Sequence, residues 1–336
     1  MQSIKADSRV IIVTGASAGI GRAIAHRFAS SGDRVGLIAR DAAALEDVQQ
    51  ELRTAGATAV AIEAVDVADD AALFGAAQRL QVELGEVDIW INDAMETVFS
   101  PVVEMTPAEF RRVTEVTYLG FVHGTMAALR SMRPRGRGRI IQMGSALAYR
   151  GIPLQSAYCG AKHAIRGFTD SVRTELLHEG SGVSICMVDL PAVNTPQFDW
   201  ARVHMSHQPR PMGRPIEPEL VADAVFKAAG GRWREYWLGF PTLETIIANT
   251  VWPGFLDRYL ARKAVAGQQT DTPVQPDRRD NLDEPVTYLH RTRGSFSGEA
   301  ESHAVLVPAP LMRLGVVAAG ALAFLALGFG VGRARR

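Results

Sequence analysis

Cysteine is nearly absent from this chain: 336 residues carry two, Cys159 and Cys186. A disulfide framework or a cysteine-built metal site is therefore not expected, and both residues read as small core side chains in a reducing compartment. Net charge is missing too. Lys and Arg number 36 and Asp and Glu number 36, so nothing suggests the basic surface that a nucleic-acid partner requires. The opening Met1-Gln-Ser-Ile-Lys-Ala-Asp7 holds no apolar stretch before the first strand pattern, and no secretory signal is expected. Internal repeats of solenoid length are absent as well. What remains is a chain with 47% hydrophobic residues, enough for one large core of about 250 residues plus a tail.

Strand and helix patterns alternate along that core. Apolar, β-branched runs predict strands at 9–13, 35–39, 59–65, 87–91, 139–143, 183–190 and 236–240. Helical periodicity predicts helices at 43–54, 70–84, 107–132, 156–177 and 218–229, with a further helical stretch around 245–264. Alternation of this kind implies an α/β fold of the Rossmann type: a doubly wound parallel sheet with helices on both faces and ligands at the carboxyl ends of the strands.

Two motifs carry chemistry. The first strand runs directly into Thr14-Gly15-Ala16-Ser17-Ala18-Gly19-Ile20-Gly21, after which Ile24, Ala25, Phe28 and Ala29 recur at helical spacing. A strand, a glycine-rich turn and a helix N-terminus let backbone N–H groups approach a dinucleotide pyrophosphate. The second motif is Tyr158-Cys-Gly-Ala-Lys162, with Ser145 upstream. Positions four apart share a helix face, so the Lys162 ammonium is expected beside the Tyr158 phenol, favouring its ionised form and preparing it to give and take a proton.

Together these motifs resemble the short-chain dehydrogenase/reductase family from about Ser8 to about Gly239. Its Thr-Gly-x-x-x-Gly-x-Gly pattern falls on Thr14, Gly15, Gly19 and Gly21, with Ile20 inside it, and its catalytic Ser, Tyr and Lys fall on Ser145, Tyr158 and Lys162. The resemblance implies hydride exchange between a nicotinamide cofactor and a small-molecule carbonyl or secondary alcohol. Ser145 would steady the oxyanion; Tyr158 would act as general acid/base, and Lys162 would lower its pKa and hold the cofactor ribose. Asp66 and Val67 match the family's adenine-contacting pair. An acidic residue after the second strand suits NAD, whereas a basic one welcomes the 2′-phosphate of NADP. Arg40 stands there, with Ser17 in reach of the same phosphate, so NADP(H) is expected over NAD(H), although Asp41 follows at once.

Departures from the family pattern are also legible. The usual Asn-Asn-Ala-Gly is Asn92-Asp93-Ala94-Met95, of which Asn92 and Ala94 are expected at the cofactor and Met95 adds bulk where glycine is usual. The helical catalytic Asn of the family becomes Thr117, which keeps the main-chain carbonyl but can bond back to the preceding turn. The usual Pro-Gly becomes Pro191-Ala192, followed by Val193-Asn194-Thr195. Pro191 and Val193 are expected at the cofactor, and Thr195 matches the residue that touches the carboxamide. The stretch 198–216 sits where the family keeps its substrate lid, and His204 and His207 within it lack the neighbours a metal site needs.

Residues 1–266 are thus expected to form the catalytic domain and 267–310 a polar, disordered linker. Residues 311–336 contain the uncharged run Leu314–Gly332. As a helix that run spans about 28 Å, close to a bilayer core, and reads as a C-terminal membrane anchor for a cytoplasmic domain, or as a helix docked on the enzyme or a sister subunit. An anchor makes a lipophilic substrate the favoured class. The resemblance adds a homodimer or homotetramer paired through 107–132 and 156–177. Two other readings stay open: a catalytically silent, cofactor-binding scaffold, and a non-redox isomerase or dehydratase.

Overall fold

All five residues of the first strand, β1 (Val10–Thr14), are buried, because both of its faces are covered. Ile11 and Val13 join one apolar cluster while Val10 and Ile12 join another, as alternation along a central parallel strand requires. The computed structural model describes residues 8–315 and Ala318. The other strands are β2 (Arg34–Ala39), β3 (Ala59–Ala64), β4 (Ile89–Asn92), β5 (Val98–Phe99), β6 (Gly138–Met143), β7 (Val183–Asp189), β8 (Arg202–Val203), β9 (His207–Pro209), β10 (Glu235–Leu238), β11 (Gln269–Pro273) and β12 (Leu306–Pro308). Eight of them form one sheet in the order β12-β10-β7-β6-β4-β1-β2-β3, parallel throughout except where β12 runs against β10. Since β1 lies between β2 and β4, the chain winds away from it in both directions and opens a crevice at the strands' carboxyl ends.

Helices α1 (Gly19–Ala29), α2 (Ala42–Ala55), α3 (Asp70–Leu84), α4 (Pro107–Thr114), α5 (Gly120–Met132), α6 (Ser156–His178), α7 (Gln197–Trp200), α8 (Pro218–Ala229), α9 (Phe240–Val251) and α10 (Pro253–Gly267) cover the sheet and its upper edge. Helix α1 packs on α8, and α3 on α5. The helix expected over 107–132 is interrupted by a π-turn, Glu115–Leu119. The stretch expected around 245–264 is two helices, α9 and α10, that meet at Trp252 in a non-helical conformation (φ −134°, ψ 57°), because Pro253 disfavours helical geometry in the residue before it.

The C-terminal segment corrects the expectation of a disordered linker over 267–310. Strand β11 pairs with β9, β12 extends the main sheet, and residues 281–297 lie along the carboxyl ends of β1 and β2. The segment's polarity is not spent on water: His290 meets Asp41 at 3.0 Å, Arg291 donates to Asp199 at 2.9 Å and Arg293 donates to Glu219 at 2.9 Å. Among the described residues no helix is long and apolar enough to cross a membrane. The run Leu314–Gly332, read as an anchor, lies outside the described residues apart from Leu314, Gly315 and Ala318.

Candidate active site

The glycine turn folds tightly for steric reasons. Gly15 has φ +73°, and a Cβ on it would come within 2.8 Å of Ala94 Cα; a Cβ on Gly21 would collide with the Gly15 carbonyl. Glycine alone permits both the left-handed backbone and the close approach. Thr14 fixes the facing strand end, its Oγ1 accepting the amides of Asp93 and Ala94 at 3.1 and 3.2 Å. Ala18 gives α1 no side-chain cap, so the first amides of that helix are left for another acceptor, the property a diphosphate site exploits. One is taken from within the chain: Gly19 N–H donates to the Arg291 carbonyl at 3.0 Å. The crevice above this turn is bounded by Ser17, Ile20, Arg40, Asp66, Val67 and Thr195, with Asn281, Pro285, Val286 and His290 of the C-terminal segment on its other side.

At the other end, Ser145, Tyr158 and Lys162 converge. Ser145 follows β6, and its Oγ accepts the Leu147 amide at 3.1 Å while also hydrogen-bonding the Tyr158 phenol. One turn along α6, the buried Lys162 Nζ donates to the Met143 carbonyl at 2.7 Å and lies 5.5 Å from the Tyr158 ring centroid. The spacing therefore places the two side chains together as expected. Their charge relation is different: burial pushes the phenol up, the Ser145 bond pulls it down, and the Cys159 and Asp93 charges push it up again. Burial also pushes Lys162 down, with Asp93 and Asp189 pulling it back. The phenol is thus raised rather than lowered, with loss of water the largest cause.

Asp93 is the residue that sequence reasoning missed. It accepts the Gly21 amide, and burial pushes its carboxyl well up while the Lys162 charge pulls it down. The sequence Asn92-Asp93-Ala94-Met95 departs from the family pattern at Asp93 as well as at Met95. Asn92, expected at the cofactor, is instead wired into the core: its Nδ2 donates to Gln142 Oε1 at 2.8 Å and its Oδ1 accepts from Trp90 Nε1 at 2.8 Å. Two successive strand residues point to opposite faces, which sends Asp93 and not Asn92 toward the crevice.

Thr117 sits in the π-turn. Its Oγ1 does not bond back along its own helix; it donates to the Glu96 carbonyl at 2.8 Å and accepts the Glu96 amide at 2.9 Å, clipping the loop after β4. Asp66 Oδ2 accepts from Arg112 at 2.6 Å, and the Val67 carbonyl lies 2.9 Å from His123 Nδ1. Thr195 packs its Cβ against Gly19, and Val193 is buried beside it. In the lid stretch His204 lies 2.9 Å from Glu109. Pro191 borders a second cavity, of about 420 Å³, whose floor is Ser145 and Tyr158 and whose walls include Leu147, Ile152, Phe198 and Leu260. Ile20, Thr195 and Gln197 border both spaces, which makes them adjoining.

Comparison with known proteins agrees with this geometry. Residues 9–204 match the family described as short chain dehydrogenase.

The chain belongs to the short-chain dehydrogenase family.

It is 30% identical over 321 residues to the uncharacterized oxidoreductase YxnA of Bacillus subtilis, covering 94% of this chain and 89% of that protein. It is 34% identical over 231 residues to 2-(R)-hydroxypropyl-CoM dehydrogenase of Xanthobacter autotrophicus, covering 66% of this chain and 92% of that one. The X-ray structure of an alcohol dehydrogenase from the archaeon Thermococcus sibiricus, complexed with 5-hydroxy-NADP, superposes with a TM-score of 0.60 at 25% identity, over 69% of this chain and 96% of that one. This short-chain dehydrogenase is an oxidoreductase-family protein with a nicotinamide-nucleotide fold, and it carries a C-terminal segment folded against its own crevice.

Proposed function

We propose that this short-chain dehydrogenase interconverts a carbonyl and a secondary alcohol with NADP(H), and that its substrate is lipophilic. The observation that carries the reading is the presence of Ser145 and Tyr158, with Lys162 buried behind Tyr158, at a largely apolar cavity adjoining the glycine-turn crevice. The nicotinamide supplies or accepts the hydride. Arg40 and Ser17 at the crevice rim favour a 2′-phosphate, as does the NADP-type ligand of the Thermococcus sibiricus enzyme.

The chain's own groups would work as follows. Ser145 Oγ donates to the substrate oxygen as negative charge grows there. Tyr158 Oη passes its proton to the same oxygen in reduction and recovers it in oxidation. A phenol held protonated by burial suits the proton-donating direction. Lys162 stands on the same helix face with Nζ anchored on the Met143 carbonyl, where its charge stabilises the phenolate left behind. The apolar walls shut out water and accept a hydrocarbon substituent. Arg150, Gln155, Glu244 and Thr245 in the cavity lining offer polar contacts. A membrane tether through 314–332 and pairing of subunits through 107–132 and 156–177 belong to the same reading.

The test is NADPH oxidation by the full chain against aldehydes, ketones and quinones, with Tyr158→Phe as control. We expect turnover that falls by roughly a hundredfold or more in the variant, with NADPH binding retained. Tight binding without turnover on any carbonyl would instead identify a cofactor-binding scaffold.

A further inference from the structure

Glu96 is a buried carboxylate with no assigned task. It follows β4, its side chain is 2% exposed, and neither carboxylate oxygen has a well-directed hydrogen bond among the described residues. Charge holds it in place. Arg40 Nη2, from the end of β2, lies 2.6 Å from one oxygen, and Arg112 Nε, from α4, lies 3.4 Å from the other. The other charged groups facing it are Asp66 after β3 and Asp283 on the C-terminal segment.

Arg40 is correspondingly saturated. Besides the ion pair, its guanidinium donates to the carbonyls of Asn281 at 2.5 Å and of Leu282 and Asp283, each at 3.3 Å. Arg112, in turn, is shared with Asp66 at 2.6 Å. The cation that the crevice offers to an adenosine 2′-phosphate is therefore already engaged by an internal carboxyl group, an anion once Glu96 ionises. A phosphate dianion arriving at Arg40 must either displace the Glu96 carboxylate or lie beside it, and two like charges in a partly dry site repel strongly.

Resting on the reading of this crevice as a dinucleotide site, we propose that Glu96 competes with the cofactor's 2′-phosphate for Arg40 and thereby sets the NADP(H)/NAD(H) preference of this chain. Neutralising Glu96 frees the guanidinium for the paired N–H···O contacts that phosphate accepts. Keeping it ionised narrows the gap between the two cofactors. Burial outweighs the pull of the two arginines and pushes the Glu96 carboxyl up to about 8, so the competition is switched on by a mild rise in pH.

Titrations of the full chain with NADPH and with NADH at pH 9, where Glu96 is ionised, in the native form and as Glu96→Gln, test this. The expected result is an NADPH/NADH affinity ratio that rises roughly tenfold or more in the variant, with NADH affinity little changed. Both cofactors binding with an unmoved ratio overturns the proposal. Failure of either form to bind any nicotinamide dinucleotide overturns the reading of the crevice, and this inference with it. The native chain alone gives a second test, independent of how the variant folds. Between pH 7 and pH 9, where phosphate monoesters are already dianions, 2′,5′-ADP should weaken relative to 5′-AMP as Glu96 ionises. A constant ratio of the two affinities also overturns the proposal.

Discussion

The Gly19 amide donates to the Arg291 carbonyl at 3.0 Å, so the segment around Arg291 sits on the first turn of the helix that heads the crevice. Gly294 continues the contact: it lies so near Thr195 that a Cβ would strike the Thr195 carbonyl, and its amide donates to Asn194 O at 3.1 Å. Gly294→Ala should therefore lift the segment from the crevice. We expect a lower Tm together with faster association of NADPH in stopped-flow fluorescence. An unchanged association rate would mean that the segment does not restrict entry.

Asp93 places negative charge near the Tyr158 phenol and pushes it up. Replacing it with the isosteric amide removes that repulsion while leaving an oxygen to accept the Gly21 amide. In Asp93→Asn the phenol should ionise more readily, and the pH–rate profile for alcohol oxidation should move to lower pH by up to about one unit. A shift toward higher pH would show that the loss of Asp93 acts chiefly through the Lys162 environment.

Thr117 pairs both backbone groups of Glu96 inside the protein, with its side chain fully buried. Thr117→Ala strands that amide and that carbonyl away from water, at a cost of about 1–3 kcal/mol. Denaturant unfolding should show the loss, and Thr117→Ser should recover most of it because the hydroxyl is what makes both bonds.

Glu96 makes stability pH-dependent with a definite sign. Its folded carboxyl is pushed up to about 8 from 4.5, so the folded state holds a proton that the unfolded chain releases between those values. The associated stability is fully present below pH 4.5 and is lost as pH rises through about 8. Glu96→Gln removes this slope, and its Tm relative to the native chain should climb between pH 5 and pH 9. Parallel Tm curves would place the ionisation elsewhere.

The sheet and its helices were open to inspection in the sequence because local rules governed them. The boundaries of α3 and α8 coincide with the periodicity, and the all-buried β1 reads as an unbroken apolar run because it is central and covered on both faces. The π-turn at Thr117 and the break at Trp252 lie where the helical pattern continues. Nothing in a hydrophobic period distinguishes an added residue in a turn, and Pro253 was the one available sign of the break.

Residues 281–297 mark the boundary of what composition can convey. Their charges and glycines resemble those of an unfolded segment, since composition cannot say whether an arginine will meet water or an aspartate. Here the partners come from α1, α2, α7 and α8, far away along the chain.

By itself the sequence determined the family, the α/β order, the glycine turn and the closeness of Tyr158 to Lys162, all of which rest on short-range spacing and backbone sterics. Only the tertiary structure decided that Asp93 rather than Asn92 faces the crevice, that burial raises the Tyr158 phenol, and that Arg40 is held by Glu96. Each of these depends on how much water is excluded and which distant charges are brought within a few ångströms, and electrostatic interactions in a dry interior are set by that arrangement.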